Sequence, residues 1–300
     1  MTATVLGVQV GPLRQDLDAR WLMAYAAGLG ERDRRYFDTL AAHGPLAHPL
    51  FPVCYEWPAA VAMRDRTIPA ALQPRSVHAS HRLVIHRPPR VGDTLLTTAR
   101  VTDIRPRRSG TLIVTRLETL DAAGARVTTT DYGSVYRGVR PDDLTGISPR
   151  EEALAGDGEA SRASAVSSDE ASPSPASAAP GWQELVTVEA TMALVYTECA
   201  RIWNPIHTDV AVARAAGLPN PILHGTATLA LAVSRVVARE LGGEPARVAE
   251  VHVRFSGMVP LPSSFTVRGR PGDGRGVGFD AVGPDGRPVL SQGVVIACNR

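Results

Sequence analysis

Lysine is absent from this chain: all 32 basic residues are arginine. That excludes a Schiff-base amine, a P-loop lysine and a lysine general base. Cysteine is nearly as scarce. Cys54, Cys199 and Cys298 are too few and too scattered for a disulfide framework, and no Cys-x-x-Cys or Cys/His spacing suggests structural zinc. Charge of one sign is also lacking: 32 basic against 30 acidic residues leave a net +2, which argues against nucleic-acid binding driven by bulk charge. No apolar run reaches membrane-spanning length, and Met1 to Gly11 lacks a basic start followed by an apolar stretch. The expected compartment is therefore the cytoplasm, with no nucleic-acid or membrane partner.

What is present is 300 residues, 44% of them apolar, enough for a sizeable core in one large domain or two modest ones. Residues 143–181 interrupt that pattern. They include the stretch SRASAVSSDEASPSPASAAPG, which is nearly free of large apolar side chains and cannot bury enough surface to fold. A flexible linker is expected there, with folded parts at 1–142 and 182–300.

The two parts repeat each other. The C-terminal part runs WNPIHTD, AAGLPNPILHGT and VAEVHVRF; the N-terminal part runs RDRRYFD, AHGPLAHPLFPV and HRLVIHRP. Tyr36-Phe37-Asp38 aligns with His207-Thr208-Asp209, and Gly44 to Pro52 matches Gly217 to Gly225 without a gap. Met192, Val195, Tyr196 and Cys199 recur at helical spacing, and Asn204-Pro205 is expected to end that helix. The segment TATLALAVSRVVAREL, from Thr226 to Leu241, is apolar over most of its first three turns and stops at Gly242-Gly243, which predicts a buried helix. Val251, Val253 and Phe255 then alternate with polar residues, and further strands are expected near 264–270, 276–282 and 288–297. The class is α+β: an antiparallel sheet wrapped on one helix, twice.

That order, with Asn-Pro-Ile-His-x-Asp and then Pro-Ile-Leu-His-Gly-Thr opening the buried helix, resembles the MaoC-like (R)-specific enoyl-CoA hydratases and 3-hydroxyacyl-thioester dehydratases of the double hot-dog type. Asn204, Pro205, His207, Asp209, His224 and Gly225 sit at the family's spacing, and the N-terminal part resembles the non-catalytic repeat, including Arg87-Pro88 and Gly92-Asp93. The resemblance implies two hot-dog repeats forming a pseudo-dimer. It also implies a thioester substrate on CoA or an acyl carrier protein, and neither metal nor redox cofactor. A homodimer is the candidate assembly.

Each residue has a physical role to offer. His207 titrates near neutrality and is the expected general acid/base. The N–H of Gly225, at the start of the buried helix, has no intrahelical partner and suits an oxygen that becomes negative. Pro52 takes that place in the N-terminal part and has no N–H, so that half is expected to shape the acyl pocket rather than to react. Asn204, Thr226 and Arg201 are candidate substrate contacts. Asp209 is expected to cap the short helix beginning near Val210, and His224 to support the site with its ring hydrogen-bonded. His43, His48, His78, His81, His86 and His252 read as solvated or structural.

One position departs from the family. The resemblance implies an Asp five residues before the His, and Ile202 stands there. Glu198, one helical turn before Ile202, is the candidate substitute carboxylate, with Glu31 a remote second. Three functions follow: a hydratase/dehydratase with a non-standard partner group, single-base thioester chemistry such as isomerisation or cyclisation, or non-catalytic binding of acyl thioesters.

Overall fold

The computed structural model describes residues 5–144, 181–270 and 276–298. The first half carries strand β1 (Gln9–Asp16), helices α1 (Ala19–Gly28) and α2 (Pro52–Thr67), and strands β2 (Ser76–Ile85), β3 (Thr94–Arg107), β4 (Gly110–Asp121) and β5 (Arg126–Arg137). The second half repeats the order with β6 (Trp182–Val188), α3 (Met192–Ala200), a short α4 (Val210–Ala215), α5 (Gly225–Glu240), β7 (Val248–Phe255), β8 (Ser263–Arg270), β9 (Gly276–Val282) and β10 (Pro288–Ala297). Residues 145–180, most of the expected linker, lie outside the described residues. Asp143 and Leu144 belong to a 3-10 turn, and Leu144 is buried against the first half, so the folded chain reaches two residues past the expected boundary.

All ten strands form one sheet in the order β1-β3-β4-β5-β2-β7-β10-β9-β8-β6. The order reads the same from either end once each strand is exchanged for its counterpart, so the repeat in the sequence is a pseudo-twofold in space. Its centre is the antiparallel pairing of β2 with β7, where His81 faces Val253 and Leu83 faces Val251. Arg82 Nε donates to Glu250 Oε1 across that seam at 2.8 Å.

Each half wraps its sheet on one helix of 16 residues, α2 or α5. In α5, Leu229, Ala230, Val233, Val236 and Val237 are buried against Val251, Val253, Phe265 and Val295 of the sheet. Burying one such leucine or valine contributes about 1.5–3 kcal/mol, so this helix is held by its burial rather than by its caps. Indeed no side chain caps its N-terminus. α2 begins with Pro52 at the first turn, where a missing N–H costs nothing.

The helix expected to run to Asn204 stops earlier. α3 ends at Ala200, and Arg201 adopts a left-handed conformation at φ 57°. Ile202 therefore lies beyond the helix, and its spacing from Glu198 no longer places the two on one face. Among the described residues no helix is long and apolar enough to cross a membrane.

Candidate active site

A cavity of about 520 Å³ opens between the halves. From the second half it is lined by Ile202, Asn204, His207, His224, Gly225, Thr226 and Phe255, and from the first by α2 and the inner faces of β2, β4 and β5. His207 sits on a 3-10 turn, Pro205–His207, that proline initiates after the extended Asn204. Tyr36 ends the matching turn, Arg34–Tyr36, in the first half.

The state of His207 follows from one contact. Its Nδ1 lies 2.9 Å from the carbonyl oxygen of Ile222. A carbonyl can only accept, so Nδ1 carries the proton and Nε2 of the neutral ring is a bare lone pair. Burial pushes the ring down to about 4, and the Ile222 carbonyl opposes that in part. At neutral pH, then, His207 is a base. His224 stacks on it with centroids 3.7 Å apart at 26°. Burial, and next the charge His207 would carry, push His224 further down. Thr197 Oγ1 lies 3.2 Å from His224 Nε2 and fixes the ring.

Gly225 opens α5 on the cavity wall. Its N–H and the next lie at the positive end of the helix dipole. A Cβ added there would sit 3.2 Å from Phe255 Cε1, so the position favours glycine for space as well as for access to its N–H. Thr226 also lines the cavity, and its Oγ1 accepts from Tyr196 Oη at 3.0 Å. Asn204 lines the cavity without capping its turn. Asp209 lies outside and caps α4, accepting from the N–H groups of Ala211 and Val212.

Three candidates fall elsewhere. Glu198 is exposed and does not line the cavity; the buried face of α3 carries Ala193, Tyr196, Thr197 and Ala200 instead. Arg201 is exposed and stacks over Trp21 of the first half, 4.1 Å from the ring centroid, so it bridges the halves rather than the substrate. Glu31 also lies away from the cavity: it accepts from Ser234 Oγ, itself 3.1 Å from His48 Nε2. Among the described residues of the first half the matching positions carry other groups. Phe51 and Tyr36 occupy the places of His224 and His207, both are buried, and neither lines the cavity.

The sequence reading missed three cavity residues. Glu56 on α2 and His78 and His81 on β2 line the wall that the first half provides. Glu56 is 2% exposed and the sole carboxylate among the described lining residues. Glu56 stands at the fifth position of α2, where α5 has the buried Leu229. No group of three His, Cys, Asp or Glu among the described residues is placed to hold a metal ion.

Comparison with known proteins agrees with this geometry. A model described as "MaoC like domain" matches residues 174–278, and one described as "FAS1-like, dehydratase domain region" matches residues 4–130. The chain is 30% identical over 174 residues to peroxisomal multifunctional enzyme type 2 of Drosophila melanogaster, covering 55% of this chain and 25% of that protein. It is 35% identical over 115 residues to enoyl-CoA hydratase ChsH3 of Mycobacterium tuberculosis, covering 38% of this chain and 40% of that protein. The matches thus span well under half the length of these relatives. A solved MaoC-like dehydratase from Phytophthora capsici superposes with a TM-score of 0.76 at 23% identity, over 98% of this chain and 96% of that one. That likeness shows the fold, two hot-dog repeats side by side. The second half of the chain is thus a MaoC-like dehydratase domain, and the first is a FAS1-like dehydratase region.

Proposed function

We infer that this chain interconverts 2-enoyl and 3-hydroxyacyl thioesters carried on CoA or an acyl carrier protein, with His207 as its single acid/base. The observation that supports this is the bare Nε2 of His207 on the wall that also presents the Gly225 N–H. In the hydration direction the thioester carbonyl accepts from the N–H groups at the start of α5. His207 Nε2 takes a proton from water as the oxygen forms its bond to Cβ. The C=C electrons move toward the carbonyl, leaving an enolate whose negative oxygen is held at the helix N-terminus. The enolate collapses as Cα takes the proton back from the His207 imidazolium, which restores the neutral base. Dehydration is the reverse. Asn204 and Thr226 are proposed to position the thioester, while His224 and Thr197 hold His207 in place.

Ile202 is buried on the same wall and has no proton to give, so the chemistry runs on one base. That same observation favours, as a second reading, isomerisation of the double bond by removal and return of one proton. The test follows loss of the conjugated thioester absorbance with crotonyl-CoA, longer 2-enoyl-CoAs and their carrier-protein counterparts. Wild type is expected to turn over. His207→Ala is expected to lose about 10²–10⁴-fold and Gly225→Pro about 10²–10³-fold, while Glu198→Gln stays at the wild-type rate. Absence of turnover with every thioester, or full activity in His207→Ala, would overturn the reading.

A further inference from the structure

The wall that the first half gives the cavity is not a hydrocarbon wall. Four buried polar atoms on it have no hydrogen-bond partner: Glu56 Oε2, His78 Nε2, and both ring nitrogens of His81. All three residues line the same cavity. Glu56 and His81 are 2% and 1% exposed. Polar atoms removed from water without a partner are uncommon in native proteins, and several on one wall point to a ligand that supplies the missing bonds.

Their setting fixes what each can offer. Glu56 Oε1 accepts from the hydroxyls of Thr128 and Thr130, at 3.0 and 2.9 Å. Burial pushes this carboxyl up to about 8, with the two threonines opposing. The proton of the neutral acid therefore sits on Oε2, the atom with no partner, and makes it a donor. His81 faces Tyr132 across β2 and β5, and Tyr132 stacks on His78 with centroids 3.9 Å apart. Tyr132 lies two residues along β5 from Thr130, which holds Glu56. The three polar side chains thus share one patch of the inner face. Burial keeps both imidazoles neutral, so each ring has one N–H and one lone pair. The patch is also close to the reacting end: Phe255, which touches the Gly225 position, lies 4.2 Å from the His78 ring.

We propose that this wall is a subsite for an oxygen-bearing acyl chain, in which Glu56, His78 and His81 bind hydroxyl or carbonyl oxygens that the substrate carries beyond its β-carbon. This rests on the enoyl-thioester reading of the cavity. A plain alkyl tail would leave every one of these atoms desolvated and unpaired. A site built to hydrogen-bond an oxygen discriminates strongly against the analogue that lacks it.

The experiment compares kcat/KM for a saturated-tail 2-enoyl-CoA with a series of equal length carrying one hydroxyl or keto oxygen at successive positions beyond the β-carbon. The proposal expects at least one oxygenated member to exceed the plain chain by about tenfold or more. It also expects that ratio to fall toward one in Glu56→Leu and in His81→Phe, with partial return in Glu56→Gln. In parallel, calorimetric affinities of the corresponding saturated acyl-CoAs, plain and oxygenated, are measured with wild type. If no thioester turns over but the oxygenated acyl-CoAs still bind more tightly, the hydratase reading fails and the subsite stands. If plain and oxygenated chains are equivalent in both rate and affinity, the wall holds only water and the proposal is overturned. Should both variants fail to fold, the wild-type rate ratio and affinities alone decide.

Discussion

His207 and Ile222 show how a single hydrogen bond assigns a chemical role. The carbonyl fixes the proton on Nδ1, and burial keeps the ring neutral, so the group facing the cavity is a base before any substrate arrives. The same burial has a cost in acid. Burial pushes His48 to about 3, and His81 and His207 to about 4, against an unfolded value near 6.5. Between those values the unfolded chain binds protons that the folded chain refuses. The contribution of these rings to stability is therefore full above about pH 6.5 and falls as pH drops toward 4. Urea midpoints measured from pH 7 to pH 4 should decline steadily, and a flat series would contradict the burial of these rings. Glu56 acts in the opposite sense. Its raised value favours the fold at lower pH and weakens it as pH rises from about 4.5 through 8. At this scale the sequence was legible where residue type and motif coincide, as at His207 and Gly225. It was not legible at Glu56, His78 and His81, because nothing local tells a buried glutamate or histidine from a solvated one. Only the strands folding over α2 reveal that they share a wall.

At the scale of elements, one connection between the halves is a polar cluster set in the core. Ser234 on α5 donates to Glu31 beyond α1 and lies 3.1 Å from His48 Nε2, while His48 Nδ1 accepts from the Leu50 N–H at 3.0 Å. Those contacts place the His48 proton on Nε2, so the ring donates to Ser234 and the serine donates on to Glu31. The group has the residue types of a nucleophile site and the wrong wiring for one, since the serine proton goes to the carboxylate. Its role is to join α5 to the first half. Ser234→Ala would leave Glu31 and His48 without their shared partner. It is expected to cost about 1–3 kcal/mol, read as a lower urea midpoint at unchanged slope; no change in midpoint would remove the tie from the account. In the second half helices were legible by period and strands by alternation; α5, expected from Thr226 to Leu241, runs from Gly225 to Glu240. The end of α3 was not legible. Proline before position 206 suggested a stop at Asn204, but Arg201 turns left-handed first. That turn puts Ile202 beyond the helix, on the cavity wall, while Glu198 stays on the exposed face of α3.

On the scale of the whole molecule, one sheet of palindromic order makes a pseudo-dimer whose halves have diverged in opposite directions. The second half keeps a histidine and a helix-start N–H. The first replaces them with Tyr36 and Pro52, and turns the inner face of its own sheet toward the cavity they serve. Sequence repetition predicted the duplication because the spacing of turns and glycines survives such divergence. It could not predict that the wall of the first half is polar, since that depends on how β2, β5 and α2 meet in space. The central claim is that one neutral histidine does the proton work with no carboxylate at the Ile202 position. The most direct measurement is the pH profile of kcat/KM for hydration of the preferred 2-enoyl-CoA, read within seconds of dilution from a neutral stock. The account predicts a rise through a single ionisation near pH 4, the value of His207 in the free protein, and a plateau through neutrality. An acid limb in the ordinary histidine range near 6.5, or a profile that survives His207→Ala, would contradict it.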